Sequence, residues 1–141
     1  MRGLCPSLVL LAASTLILPA NPTGGEVAAG SATIAGQGSP AVTINQASHT
    51  AIINWNTFSI GSGELTKFIQ PSSTSATLNR VLGGQTSFIN GTLSANGQVF
   101  LINGNGIVVG AGGVITTAGF TGSTRDIADA DFLSGNLHFV G

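Results

Sequence analysis

One stretch, Ser94–Gly110, constrains the fold more than any other part of the chain. It holds two continuous apolar runs, Val99–Ile102 and Ile107–Val109, joined by Asn-Gly-Asn-Gly at 103–106. Continuous runs of β-forming residues indicate strands that are covered on both faces, which is the usual condition of a parallel sheet. The joint is made of residues that readily adopt positive φ. It predicts either a tight corner between short buried strands or the turn of a β-hairpin.

The composition favours short strands joined by turns. Only 6% of the 141 residues are charged and 43% are hydrophobic, whereas an ordinary globular domain carries roughly 25% charged residues. Long amphipathic helices need a charged outer face, so few are expected, and the length permits one domain. The formal net charge is −1 and the basic residues are scattered, which argues against nucleic acid as a partner. These residues are Arg2, Lys67, Arg80 and Arg125.

The N-terminus, residues 1–20, has the features of a helical secretory signal peptide. Arg2 precedes an apolar stretch at Leu8–Leu18, and Pro19 ends that stretch just before the predicted cleavage after Ala20. The stretch is shorter than the ~20 apolar residues needed to span a bilayer. The alternative interpretation is a buried N-terminal strand or an anchor helix.

Cys5 is the only cysteine of the chain, and cleavage after residue 20 would remove it. Secreted proteins commonly gain stability from disulfides, so their absence calls for an explanation. One explanation is that a chain which crosses a second membrane unfolded cannot carry a disulfide formed on the way. The other is a core that is large enough without one.

Short apolar segments recur about every 8–12 residues beyond residue 24. Alternation predicts strands at Ala41–Asn45 and Ile53–Trp55, and a change of phase before Phe58 predicts a bend or bulge near Asn56 and Thr57. The other candidate strands are Leu65–Ile69, Thr77–Leu82, Phe88–Leu93, Val99–Ile102, Ile107–Val109, Val114–Thr116, Asp131–Phe132 and Leu137–Phe139. This spacing fits a β-sandwich, a barrel or a β-solenoid. Short strands, Asn-Gly turns and continuous apolar runs favour the solenoid.

Motifs between Gly24 and Gly141 follow one another in an order and spacing that carry a family resemblance. They are Gly30–Ile34, Thr43–Gln46, Ile52–Ile60, Phe68–Pro71, Leu78–Val81, Ile89–Leu93, Asn103–Ile107, Gly119–Asp126 and Ala130–Phe132. On these motifs the chain resembles the N-terminal secretion domain of two-partner-secretion exoproteins. That domain is also called the filamentous haemagglutinin-like or haemagglutination activity domain.

The resemblance implies an all-β fold, a right-handed parallel β-helix, for the domain at residues 21–141. It implies export by the Sec machinery and then recognition by the periplasmic domains of an outer-membrane transporter barrel. The protein would reach the surface of a Gram-negative-type bacterium, or the medium, through the periplasm. No cofactor or metal is implied.

Three features depart from the family pattern. Gly104 stands where the family's corner motif, Asn-Pro-Asn-Gly-Ile, usually has proline. The Asn-Pro-Asn-Leu motif of some members is not visible, because the corresponding region, 77–81, reads Thr-Leu-Asn-Arg-Val. Family members also continue much further, so the domain is expected to be truncated at its C-terminal end. At about 20 residues per coil, the mature chain predicts about six coils.

Two motifs are candidates for recognition by the transporter. One is the corner of Asn103, Gly104, Asn105, Gly106 and Ile107, and the other consists of Leu78, Asn79, Arg80 and Val81. For Asn103 and Asn105 the alternative role is turn formation and hydrogen bonding within the coil. Arg80 is expected to form an ordinary surface ion pair with Glu64 or an Asp, or else to pair with the transporter.

Other residues that attract attention have structural explanations. Trp55 and Phe58 are expected to fill the interior of the coil, although exposed aromatic residues also serve as binding hot spots. His49 and His138 lie far apart without clustered ligands, so surface positions are expected and not a metal site.

Enzymatic activity is not expected. The sequence lacks the Gly-x-Ser-x-Gly, His-Glu-x-x-His and phosphate-binding glycine motifs. Asp129 and Asp131 are candidates for the paired carboxylates of a carbohydrate-active enzyme, but such residues more often form turns or helix caps. A secretion module is therefore the first hypothesis. A surface that binds glycans of host or neighbouring cells is the second.

Overall fold

The computed structural model describes residues 21–140, and the predicted signal peptide lies outside this range. The described residues form twelve strands and one short helix, and none of their helices is long and apolar enough to cross a membrane. The strands are β1 (Glu26–Ala29), β2 (Ala32–Ala35), β3 (Ala41–Gln46), β4 (Thr50–Trp55), β5 (Leu65–Ile69), β6 (Ala76–Val81), β7 (Ser87–Ile89), β8 (Thr92–Ala95), β9 (Gln98–Ile102), β10 (Ile107–Val109), β11 (Val114–Thr116) and β12 (Gly119–Ser123). The helix, α1, is Asp129–Ser134.

The strands stack into three sheets along a four-turn β-solenoid. Sheet I has the order β1-β4-β6-β9-β12, sheet II has the order β11-β8-β5-β3-β2, and sheet III pairs β7 with β10. The chain passes repeatedly from sheet II to sheet I and then to sheet III. All pairings among β3–β12 are parallel. The prediction of a parallel β-solenoid is confirmed, and the sandwich and the barrel are wrong.

The number of coils is smaller than the sequence predicted, four and not six. Equivalent positions in sheet II are Ala41, Leu65, Thr92 and Val114, which are 24, 27 and 22 residues apart. The corners between the sheets need these extra residues. The segments before β3 and after β12 also lie outside the parallel stack.

The first two strands are antiparallel to their neighbours. β1 pairs with β4 and β2 pairs with β3, the latter through a turn in which the Ser39 N–H donates to Gly36 O at 3.0 Å. Parallel pairing was expected throughout. An antiparallel partner needs only a short turn, whereas a parallel one needs a whole coil, so a short leading segment can cover the first coil only in this way.

The interior of the coils is mostly apolar, with a smaller number of buried polar side chains. Trp55 and Phe58 are each 1% exposed and meet edge to face with ring centroids 5.6 Å apart. The bend predicted near Asn56 and Thr57 lies between them, at Asn56, directly after the end of β4 at Trp55. Both aromatic residues therefore fill the core, as predicted, and His49 and His138 lie at the surface, also as predicted.

The outer face of sheet I is covered by the segment Asp126–Val140, which we call the strap. In β9 the residues Val99 and Leu101 face the interior, whereas Phe100 and Ile102 face outward and pack in a second cluster with Phe132 of the strap. All four are buried, with at most 9% exposure. The prediction that this run is covered on both faces is confirmed.

The same prediction is wrong for the run at Ile107–Val109. Val108 and Val109 are 46% and 50% exposed. β10 belongs to the two-stranded sheet III. It pairs only with β7, so its other edge has no neighbouring strand among the described residues. Two other predictions are wrong in the strap, where Asp131–Phe132 belongs to helix α1 and Leu137–Phe139 is not a strand.

Candidate functional site

The Asn-Gly-Asn-Gly joint forms a corner and not a hairpin, since it connects β9 in sheet I to β10 in sheet III. The Gly106 N–H donates to Asn103 O at 3.0 Å, and the Asn105 N–H donates to the Asn103 side-chain Oδ1 at 2.8 Å. Gly106 has a φ of 103°, a conformation that favours glycine. Backbone and side chain of Asn103 thus close the same turn.

Asn103 and Asn105 have different environments although both belong to this corner. The Asn103 side chain is fully buried, and its Nδ2 donates to Gln85 O at 2.8 Å and to Ser87 Oγ at 2.9 Å in the preceding coil. Asn105 is exposed, and its Nδ2 reaches Gly83 O at 3.3 Å. The corner therefore presents Gly104 and Asn105 to solvent, while Asn103 joins two coils.

The second candidate motif lies in β6, directly against β9. Leu78 pairs in register with Phe100 and Arg80 with Ile102, so this motif and the start of the corner are neighbours in adjacent coils. Leu78, Asn79 and Val81 are buried. The structure brings the two motifs together, but it places most of the second one out of contact with solvent.

Asn79 faces the interior and satisfies two buried groups. Its Oδ1 accepts a hydrogen bond from the Trp55 indole N–H at 2.9 Å, and its Nδ2 donates to Phe100 O at 3.1 Å. Trp55 belongs to the coil before Asn79 and Phe100 to the coil after it. One amide thus bridges three consecutive coils.

Arg80 faces outward and is held by the strap. Its Nε lies 2.9 Å from Asp126 Oδ1, its Nη1 lies 2.8 Å from Asp129 Oδ1, and its Nη2 donates to Ile127 O at 2.6 Å. Burial acts to lower the pKa of Arg80, but hydrogen bonds and charge attraction from the two aspartates outweigh it and the pKa is raised. Arg80 does pair with Asp residues, as predicted. Its side chain is only 14% exposed, however, so this is not an ordinary surface ion pair.

Two partners of Arg80, Asp126 and Ile127, are not among the candidate site residues, and Asp129 is a candidate only as a catalytic carboxylate. Asp126 and Ile127 lie 46 and 47 residues further along the chain, a separation that carries no signal in itself. The one indication was that Gly119–Asp126 belongs to the motifs that match the family. An ion pair between residues that are far apart in the sequence can be recognised only from the folded structure, in which the coils are stacked.

A shallow cleft of about 510 Å³ lies beside this ion pair. Among its lining residues, Asp126 and Asp129 are both engaged by the Arg80 guanidinium. Of the two carboxylates considered for an enzyme, Asp129 is bound by Arg80, whereas Asp131 is not among the residues that line the cleft. Within residues 21–140 no group of three or more His, Cys, Asp or Glu side chains is arranged to hold a metal ion.

Replacing Gly104 with proline is expected to raise the free energy of unfolding by about 0.4–1 kcal/mol, because proline restricts the unfolded chain. Gly104 is the second residue of the Asn103–Gly106 turn, the position where proline is favoured. A Cβ there meets only Thr124 O, at 4.0 Å. Urea denaturation followed by Trp55 fluorescence measures the change. A loss of stability would show that the backbone of this turn does not fit proline.

Comparisons with known proteins agree with this fold and these motifs. Residues 18–140 match the family model of the TPS secretion domain. The chain is 40% identical over 106 residues to a heme/hemopexin-binding protein of Haemophilus influenzae, and 39% identical over 99 residues to another protein of that name and species. These alignments cover 75% and 70% of this chain but only 12% and 11% of the relatives, so the chain spans about an eighth of their length or less.

A solved structure with the same fold is that of the HMW1 secretion domain from Haemophilus influenzae. It superposes with a TM-score of 0.79 and 41% sequence identity, over 84% of this chain and 32% of that one. The matching family consists of secretion domains and is not a known enzyme family. The chain therefore belongs to the TPS secretion domain family, the secretion domains of two-partner-secretion exoproteins.

Proposed function

We propose that this chain directs the export of its parent exoprotein across two membranes of a Gram-negative bacterium. In this proposal the segment 1–20 directs Sec-dependent passage into the periplasm. The periplasmic domains of a dedicated outer-membrane transporter then bind the domain, and the solenoid assembles at the cell exterior. The observation that carries the proposal is the match of residues 18–140 to the TPS secretion domain, together with a fold shared with the HMW1 secretion domain.

The architecture suits stepwise assembly after passage through a narrow pore. The stability of a solenoid is approximately a sum over neighbouring coils, so each coil gains stability by stacking on the one before it. Residues 21–140 contain no cysteine, so these residues cannot take part in a disulfide while they are unfolded in the periplasm. Burial of each new coil outside the cell would oppose movement of the chain back into the pore.

The corner is the part of the two candidate motifs that the folded domain leaves accessible. Asn105 and Gly104 are exposed there. Leu78, Asn79 and Val81 are available to the transporter only before the coils stack, since they are buried afterwards. Edge pairing between an unfolded strand of this chain and the periplasmic domains is a suitable mode of contact.

The test is capture of the chain 21–141 by the immobilised periplasmic domains of the transporter encoded beside the parent gene. The chain is presented both folded and freshly diluted from urea. Asn105→Ala, which changes an exposed side chain, is expected to lower capture several-fold with the fold intact. Asn45→Ala, an exposed Asn on β3 outside both motifs, is the matched control. Circular dichroism checks the fold of each variant.

The outcomes separate the function from the residues. Failure of both the folded and the diluted chain to be captured contradicts the proposed function. Capture that is unchanged by Asn103→Asp and Asn105→Ala removes the corner from recognition and leaves the secretion function in place. Capture of the diluted chain alone would assign recognition to a form in which β6 is accessible.

A further inference from the structure

The strap is a closed loop that lies across the outer face of sheet I. Its two ends pair with each other, since the Asp126 N–H donates to Val140 O at 2.8 Å and the Val140 N–H donates to Asp126 O at 2.7 Å. Helix α1 lies between them and ends at Gly135, which has a φ of 84°. The two ends of the strap are therefore held together by bonds of its own, in addition to its contacts with sheet I.

The apolar contacts of the strap come from the buried side chains of Ile127 and Phe132, and the partly buried Phe139 adds to them. Ile127 and Phe132 are 1% and 3% exposed, and they pack on Ile52, Leu78 and Phe100 of sheet I. Phe132 meets Phe100 edge to face, with ring centroids 5.3 Å apart. The register of sheet I places Ile52, Leu78 and Phe100 in one row, so the strap covers a continuous apolar strip across three coils.

The polar contacts between the strap and the stacked strands all come from Arg80. In residues 21–140 the backbone hydrogen bonds of the strap join strap residues to one another, and the three bonds from the Arg80 guanidinium are those that reach the stacked strands. The coils, in contrast, are joined by continuous ladders of backbone hydrogen bonds. Segments with few backbone bonds to the rest of a protein open at a lower free energy than its core strands.

We infer that the strap is a lid that opens and closes as a unit over the stacked coils, and that the ion pairs and the hydrogen bond of Arg80 hold it closed. Opening exposes the apolar strip of Ile52, Leu78 and Phe100 without separating any coil from its neighbour. Because β6 and β9 must already be paired before the strip exists, the lid closes after the coils beneath it have formed. This order, in which the coils form first and the lid closes afterwards, follows from the contacts of the strap and does not rest on the proposed secretion function.

Hydrogen exchange measured by mass spectrometry on the chain 21–141 tests the lid. In the unaltered protein the amides of Phe132, Gly135 and Val140 are expected to exchange faster than those of β6 and β9. Arg80→Gln is expected to accelerate the strap amides at least about tenfold, since three charge-assisted bonds are lost, and to change the strand amides much less. Arg125→Gln changes an exposed arginine next to the strap and is the matched control.

A second variant keeps the test decisive if Arg80→Gln fails to fold. Asp126→Asn combined with Asp129→Asn alters only the strap, and both side chains are substantially exposed, at 59% and 48%. The same selective acceleration is expected. Raising the salt to about 1 M should accelerate the strap of the unaltered protein and have less effect on the variant, because salt screens exposed charges.

Two results would overturn the inference. Equal acceleration of strap and strand amides would show that the strap and the coils unfold together as one unit. No acceleration in either charge variant would show that Arg80 does not fasten the strap. If Phe132→Ala accelerates hydrogen exchange of the strap amides while the strand amides stay protected, the apolar contacts of Phe132 also hold the lid closed, which supports the inference.

Discussion

Asn79→Ala is expected to lower the free energy of unfolding by about 3–4 kcal/mol. The substitution leaves the Trp55 indole N–H and the Phe100 carbonyl without partners in the interior of the coils, and it leaves a cavity. Each buried group without a hydrogen bond costs about 1–3 kcal/mol. Urea denaturation followed by circular dichroism gives the value without relying on the fluorescence of Trp55.

Two controls identify the source of that loss. Asn45→Ala removes the same side chain from an exposed position of β3 and should change the free energy by less than about 0.5 kcal/mol. Trp55→Phe removes the indole donor, so the double variant with Asn79→Ala should lose less than the sum of the two single losses. If Asn79→Ala is as mild as Asn45→Ala, the amide does not join the coils.

Gly91→Ala is expected to destabilise the chain by about 3 kcal/mol, or to prevent folding. A Cβ at this position overlaps the carbonyl oxygen of Gly61 and lies 2.6 Å from that of Glu64, both in the preceding coil. The Thr92 N–H donates to this Glu64 oxygen at 3.0 Å, and the Val114 N–H donates to Gly91 O at 2.9 Å. A shift that relieves the overlap would therefore disturb the ladder on both sides.

Gly84→Ala is the matched control, because a Cβ at Gly84 meets nothing within 4 Å. Gly84 is not among the glycines of positive φ, so alanine should fit and change the free energy by less than about 1 kcal/mol. Soluble yield and the urea midpoint compare the two variants. Similar stability of both would mean that the coils can move apart at Gly91 at little cost.

The parallel stack is the part of the fold that the sequence predicts best. The run Val99–Ile102 has no polar residue on either face, and a strand with two apolar faces needs a cover on each side. No feature of the sequence indicates what covers its outer face. That cover is the strap. The sequence predicts a short strand at Asp131–Phe132 of the strap and not a helix, because two residues are too few to distinguish helical from strand periodicity.

For the candidate motifs, the sequence predicts the local geometry of the corner but not the surroundings of Asn79. The corner at 103–106 is a tight turn, as its Asn and Gly residues indicate, and Asn105 is exposed at its tip. The resemblance to the family makes Asn79 part of a recognition motif. In β6, however, Asn79 lies on the same face as Thr77 and Val81, and that face points into the interior. A polar residue on a buried face is evident only when its partners in other coils are known, and those contacts are long-range by nature.

The antiparallel strands β1 and β2 give the stack a direction. They occupy the edge of the first coil with short segments of opposite polarity, so a further parallel coil has no matching edge there. At the other end Ile107, Ile115 and Phe120 are only partly buried. The two ends of the stack are therefore not equivalent. A strand that pairs in parallel finds a matching edge at β11 and β12 of the last described coil, whereas the edges of the first coil are already taken by β1 and β2.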